Sequence, residues 1–66
     1  MFTINSAKFA SFSAAAQCAV VHARQRGECK VRARSGALLA DFVRNADGTV
    51  SIFATDYGRG LVEALA

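Results

Sequence analysis

Four side chains could take part in nucleophilic or metal chemistry: Ser13, Cys18, His22 and Cys29. A catalytic pair needs base and nucleophile within hydrogen-bond reach and a third group to orient the base. Cys18 and His22 stand at i and i+4, so on a helix their side chains meet. No third residue is placed to aim His22, and the two thiols lack the C-x₂-C spacing of a structural zinc site. The chain holds no paired carboxylates in a recognisable pattern, and Gly58-Arg59-Gly60 is not a phosphate loop. These residues predict a structural histidine, free thiols and a protein without catalytic residues, metal or cofactor. The stronger chemical signal is charge. Lys30, Arg32 and Arg34 alternate, so in a strand all three project from one face about 7 Å apart. Arg24 and Arg26 lie just upstream, and residues 22–34 hold one acid, Glu28, against five bases.

The elements that must carry those residues follow from periodicity. From Ser11 to Arg26 the apolar positions repeat as on a helix, with Phe12, Ala15, Ala16, Ala19 and Ala23 on one face. Ser11 predicts the N-cap and Gly27 the left-handed residue that ends the helix. Residues 29–54 alternate with period two instead. A loop at Ser35-Gly36 would oppose Arg34 to Ala37, Arg32 to Leu39, Lys30 to Asp41 and Val31 to Ala40. A bulged turn at Asn45–Gly48 would close Asn45 on Thr49 and set Phe42 against Ile52 and Ala40 against Ala54. Phe2–Asn5 reads as a short first strand and residues 6–10 as a connection whose Phe9 plugs the underside of the helix. Asp56 or Thr55 would cap a short final helix through Leu61, Val62 and Leu65.

The predicted order is therefore β-α-β-β-β-α, one α+β domain over residues 1–66 with an antiparallel sheet and one helix across one face. In that register Cys29, Val31, Ala33, Leu38, Ala40 and Phe42 face the helix. Lys30, Arg32, Arg34, Leu39, Asp41, Val43 and Phe53 face away.

Composition bounds what this can do. Sixty-six residues, 53% of them hydrophobic and many of those alanine, build a thin core. Homodimerisation is one way to bury more. No apolar run reaches the ~18 residues that span a bilayer, and no leader pattern opens the chain, so the expected location is cytoplasmic. The net charge of +3 is concentrated in the basic stretch.

Two surfaces follow. Arg32, Arg34, Leu39, Val43 and Phe53 have the composition of a protein contact, apolar with a charged rim. Arg24, Arg26, Lys30, Arg32 and Arg34 could instead follow a phosphate backbone. The order of elements resembles double-stranded RNA-binding domains in topology alone. In size and single-helix-on-sheet plan the chain also resembles small phage- or mobile-element-encoded inhibitors of bacterial defence systems, anti-CRISPR proteins among them. That likeness implies a non-catalytic module acting by protein–protein association. The alternative is a nucleic-acid-binding accessory protein using the basic strand.

Overall fold

The computed structural model describes residues 1–65. Its elements are β1 (Phe2–Ile4), β2 (Ala7–Phe9), α1 (Phe12–Arg26), β3 (Glu28–Ala33), β4 (Leu38–Arg44), β5 (Val50–Ala54) and α2 (Arg59–Glu63). The five strands form one antiparallel sheet in the order β2-β1-β3-β4-β5, and α1 packs across one face. The α+β class and the expected sequence of elements hold, with one strand added.

That strand corrects the reading of residues 6–10. Asn5 takes the left-handed region at φ 54°, which asparagine tolerates better than most residues. The chain reverses at once and pairs Ile4 with Ala7 and Phe2 with Phe9. Phe9 thus lies half-buried on the sheet beside Phe2 rather than in a connection, and Phe2 meets Phe12 edge-on at 5.6 Å between ring centres.

Helix α1 forms as its sequence demands. Ser11 Oγ accepts the Ala14 amide at 3.1 Å, a cap worth about 1 kcal/mol. Gly27 at φ 96° donates to the Ala23 carbonyl and stops the helix. Phe12, Ala15, Ala16, Ala19 and Ala23 are all buried. With only methyl groups on most of this face, α1 sits close to β3 and β4. The core beneath it is completed by Ile4, Cys29, Val31, Leu39, Ala40 and Phe42.

Pairing in the meander is the expected one from Glu28 to Val31: Lys30 opposes Asp41 and Val31 opposes Ala40. Beyond Val31 it changes. The loop closes one residue earlier, with the Ala33 amide bonded to the Ala37 carbonyl and Gly36 at φ 92° inside it. Arg32 therefore opposes Leu38, and Leu39 is bulged out between two paired residues. A bulge puts two successive side chains on one side. Leu39 joins Ala40 under the helix, only 4% exposed, while Leu38 turns to the outer face with Arg32. The expected roles of the two leucines are exchanged.

The second turn is as expected: Asn45 donates to the Thr49 carbonyl at 2.7 Å, Gly48 has φ 89°, and Phe42 opposes Ile52. Ile52 nevertheless remains 38% exposed, because α1 lies over the middle of the sheet and leaves the β5 edge open. Neither expected cap starts α2. Thr55 Oγ1 donates instead to the Leu38 carbonyl at 2.6 Å, and Asp56 pairs with Arg59 at 3.0 Å. Leu61 and Val62 pack against the core cluster, and Leu65 is exposed. No helix among the described residues is long and apolar enough to cross a membrane.

Candidate interface on the open sheet face

With α1 on one face, the other face of the sheet has no helix of comparable size over it among the described residues. Register fixes what it presents. One row crosses the sheet as Lys8, Thr3, Arg32 and Leu38. The next runs Lys30, Asp41, Phe53, and a third Glu28, Val43, Ser51. Neighbours within a row are about 5 Å apart. The face is thus divided: Lys8, Arg32 and Arg34 on the β2–β1–β3 side, Leu38, Val43 and Phe53 on the β4–β5 side.

Of the residues expected at a protein contact, Arg32, Arg34 and Phe53 are exposed and Val43 is half-buried. Phe53, at 61%, is among the most exposed large apolar side chains, and the C-terminal segment does not cover it. Leu39 does not belong to this face, for the reason the bulge supplies. Its place is taken by half-buried Leu38.

The residues expected to follow a phosphate backbone are split up. Arg24 and Arg26, two positions apart on a helix, point to different flanks. The Arg24 carbonyl, on the β4 side, accepts from Arg44 Nη1 at 2.8 Å. Lys30 is already engaged, with Nζ at 2.8 Å from Glu28 and 3.7 Å from Asp41. The free positive charge of the outer face therefore comes from Arg32, Arg34 and Lys8. Lys8 was missed because residues 6–10 read as a connection. The signal that would have found it is Asn5-Ser6 between two short alternating runs, a two-residue hairpin loop.

The ion pairs set the local electrostatics. Lys30 holds the Glu28 carboxyl below its ordinary range, chiefly through their hydrogen bond. Asp41 goes the other way: burial pushes its carboxyl up, Lys30 opposing, and Oδ1 is buried with no hydrogen-bond partner among the described residues. An acid whose folded pKa is raised contributes stability below its unfolded pKa and loses it as pH climbs through the carboxylate range. At neutral pH Asp41 is therefore a cost to the fold. Asp41→Asn is expected to leave stability at pH 7 unchanged or to raise it by up to about 1 kcal/mol, with no gain at pH 3. Urea denaturation at the two pH values decides, and a loss at pH 7 would show that the Lys30 contact outweighs desolvation.

Cys29 is buried, and burial raises its thiol pKa, which makes it a poor nucleophile. Cys18, expected on the outward side of α1, is half-buried against the core cluster, and His22 is half-buried at the margin of the helix. Both thiols are free. Among the described residues no three His, Cys, Asp or Glu side chains converge as a metal site would need.

No protein-family model matches this chain, and no curated protein or solved structure is significantly similar to it.

Proposed function

We propose that the protein is a small non-catalytic binding module that docks on another protein through the open sheet face. Phe53 is the anchor, with Val43 and Leu38 beside it and Arg32 and Arg34 at the rim. The observation that supports this is Phe53 itself, an aromatic ring 61% exposed in a sheet row whose other members are the Lys30 and Asp41 pair. Aromatic and arginine side chains carry a disproportionate share of binding energy at protein contacts. The charge of the rim favours a partner with an apolar depression flanked by acids. A more specific form of this reading, inhibition of a bacterial defence complex, is supported by likeness in size and plan alone.

A second reading has its own observation. Lys8 and Arg32 share one row and Arg34 lines a shallow depression with Lys8 and Thr3, a basic cluster at the β2–β1–β3 side of the face, which suits a nucleic-acid backbone.

The experiment is a pull-down from a bacterial lysate with tagged wild type, Phe53→Ala and Arg32→Ala/Arg34→Ala, with and without nuclease. Phe53→Ala should change stability by under about 0.5 kcal/mol, as surface substitutions do. It should lose a partner that survives nuclease and 0.5 M salt, a concentration of roughly three times physiological ionic strength at which exposed charges are screened. A catch abolished by nuclease and by the double arginine variant, yet kept by Phe53→Ala, would overturn the protein reading in favour of nucleic acid.

A further inference from the structure

The two edges of the sheet differ. The β2 edge is three residues long and carries Lys8. The β5 edge runs from Val50 to Ala54, and no charged residue falls between Thr49 and Thr55. Short strands and lysines keep an edge from pairing with another chain, so β2 is guarded and β5 is not. Among the described residues β5 pairs with β4 alone, which leaves its far side bare.

Backbone parity sets what the bare side offers. The Asn45 amide bonds the Thr49 carbonyl, and the Thr55 amide bonds the Leu39 carbonyl. Odd residues of β5 thus turn their backbone groups toward β4, and Val50, Ile52 and Ala54 turn theirs outward. The N–H and C=O groups of these three have no ladder partner. Their side chains lie on the α1 side, Ile52 opposite Phe42, and Phe53 lies on the other. Exposed apolar side chains gather in the same part of the chain. Of the six large ones among the described residues, Ile52 and Phe53 stand on β5, Tyr57 in the turn after it and Leu65 just beyond α2.

Such a strand matches itself. Laid antiparallel about a two-fold axis at Ile52, it would overlap over its whole length. Ile52 would meet Ile52 and Val50 would meet Ala54, each facing pair exchanging two backbone hydrogen bonds. On the α1 side every cross-strand pair is then apolar, and on the outer side Phe53 stands beside Ser51 of the second copy. Charge favours the same edge. Each copy carries +3, and the basic cluster of Lys8, Arg32 and Arg34 lies on the opposite side of the sheet. Arg32 of one copy would be five strand spacings from Arg32 of the other, at least about 24 Å. That is well beyond the ~8 Å over which exposed charges act at physiological salt.

We propose that the protein forms a two-fold homodimer by antiparallel pairing of β5 with β5 of a second copy, joining two sheets into one. Phe53 and Tyr57 expose on the order of 300 Å² between them. With Ile52, Leu65 and the strand edge this is about half of the ~800 Å² that each partner buries in a stable interface. The dimer should therefore dissociate on dilution. Pairing uses backbone groups on the edge, whereas the Phe53 docking surface uses side chains of the outer face, so either assignment can fail alone.

Sedimentation velocity over a dilution series and amide hydrogen exchange of ¹⁵N-labelled protein test this together. A monomer–dimer equilibrium with no larger species is expected. Exchange at the Val50, Ile52 and Ala54 amides should slow about tenfold or more from the dilute to the concentrated sample, with smaller changes at Ser51 and Phe53, which already bond β4. Ile52→Lys sets like charges against each other at the axis and should weaken association about tenfold or more. Because Ile52 also meets Phe42, a second variant is needed. Ala54→Lys, an exposed substitution opposite Val50 of the second copy, should do the same with an unchanged circular dichroism spectrum. A protein still monomeric at about 1 mM, where a dimer with a Kd of about 1 mM is half formed, would overturn the proposal. So would a dimer that both lysine variants leave intact, or one in which the three amides exchange freely, which would belong to the open face. If wild type stays monomeric and a protein held through nuclease in the pull-down protects those amides, the edge serves a different chain and the second copy is the wrong occupant.

Discussion

Phe42→Ala should strip the fold of about half or more of its stability at 25 °C. Phe42 is fully buried, the largest such side chain in the molecule, and it closes the sheet against the alanine face of α1. Replacing a buried phenylalanine by alanine costs about 3–5 kcal/mol through lost burial and the cavity left behind. A 66-residue domain at the usual 0.05–0.15 kcal/mol per residue has about 3–10 kcal/mol in total. The alanines of the same core cluster, Ala15, Ala19, Ala23 and Ala40, are too short to fill the gap. Far-ultraviolet circular dichroism across a urea series checks this. Phe42→Leu, which keeps most of the volume, should fold with a lower midpoint. If Phe42→Ala melted within a few degrees of wild type, the core would not lie between α1 and β3–β4.

That core was legible because two different periods agree on it. The helical repeat of Phe12, Ala15, Ala16, Ala19 and Ala23 and the alternation of Cys29, Val31, Ala40 and Phe42 each define one greasy side, and a single packing satisfies both. The turn at Asn45–Gly48 was legible for a similar reason: only the bulged form keeps Phe42 and Ile52 on one face. Two features were not legible, and both depend on a single residue. Asn5 in the left-handed region makes a hairpin of what reads as a connection, which hid Lys8. Gly36 takes a third loop position, and the surplus residue is absorbed as a bulge at Leu39. Hydrophobicity could not have found this, since Leu38 and Leu39 are identical and either could face the core. What fixes the choice is tertiary: Thr55 bonds the bulged carbonyls, its amide and hydroxyl both reaching Leu39. The open face was thus readable in its residues on both sides of the bulge and misread at the bulge.

The same bulge makes Gly58 the position where one methyl group should do most harm outside the core. Gly58 is buried, and its φ of −106° is open to any residue, so the restriction is space rather than backbone conformation. A Cβ there would stand 2.1 Å from the Leu39 carbonyl oxygen and 2.6 Å from its carbon. Both atoms are backbone, so no side chain can rotate away. The last turn must lift off β4 or the bulge must move, and in either case the contact of Leu61 and Val62 with the core loosens. Gly58→Ala should therefore cost about 1–3 kcal/mol, the range for forced overpacking. Gly60, one residue inside α2, meets nothing within 4 Å, and Gly60→Ala should stabilise by about 0.5–1 kcal/mol through helix propensity. The same chemical change two residues apart is thus expected to act with opposite sign. Urea midpoints of the two variants measure it, and hydrogen exchange at the Thr55 amide, which bonds the Leu39 carbonyl, should quicken in Gly58→Ala alone. Equal midpoints for Gly58→Ala and wild type would mean that the C-terminal turn does not rest on the bulge, and that Leu39 owes its burial to α1 alone.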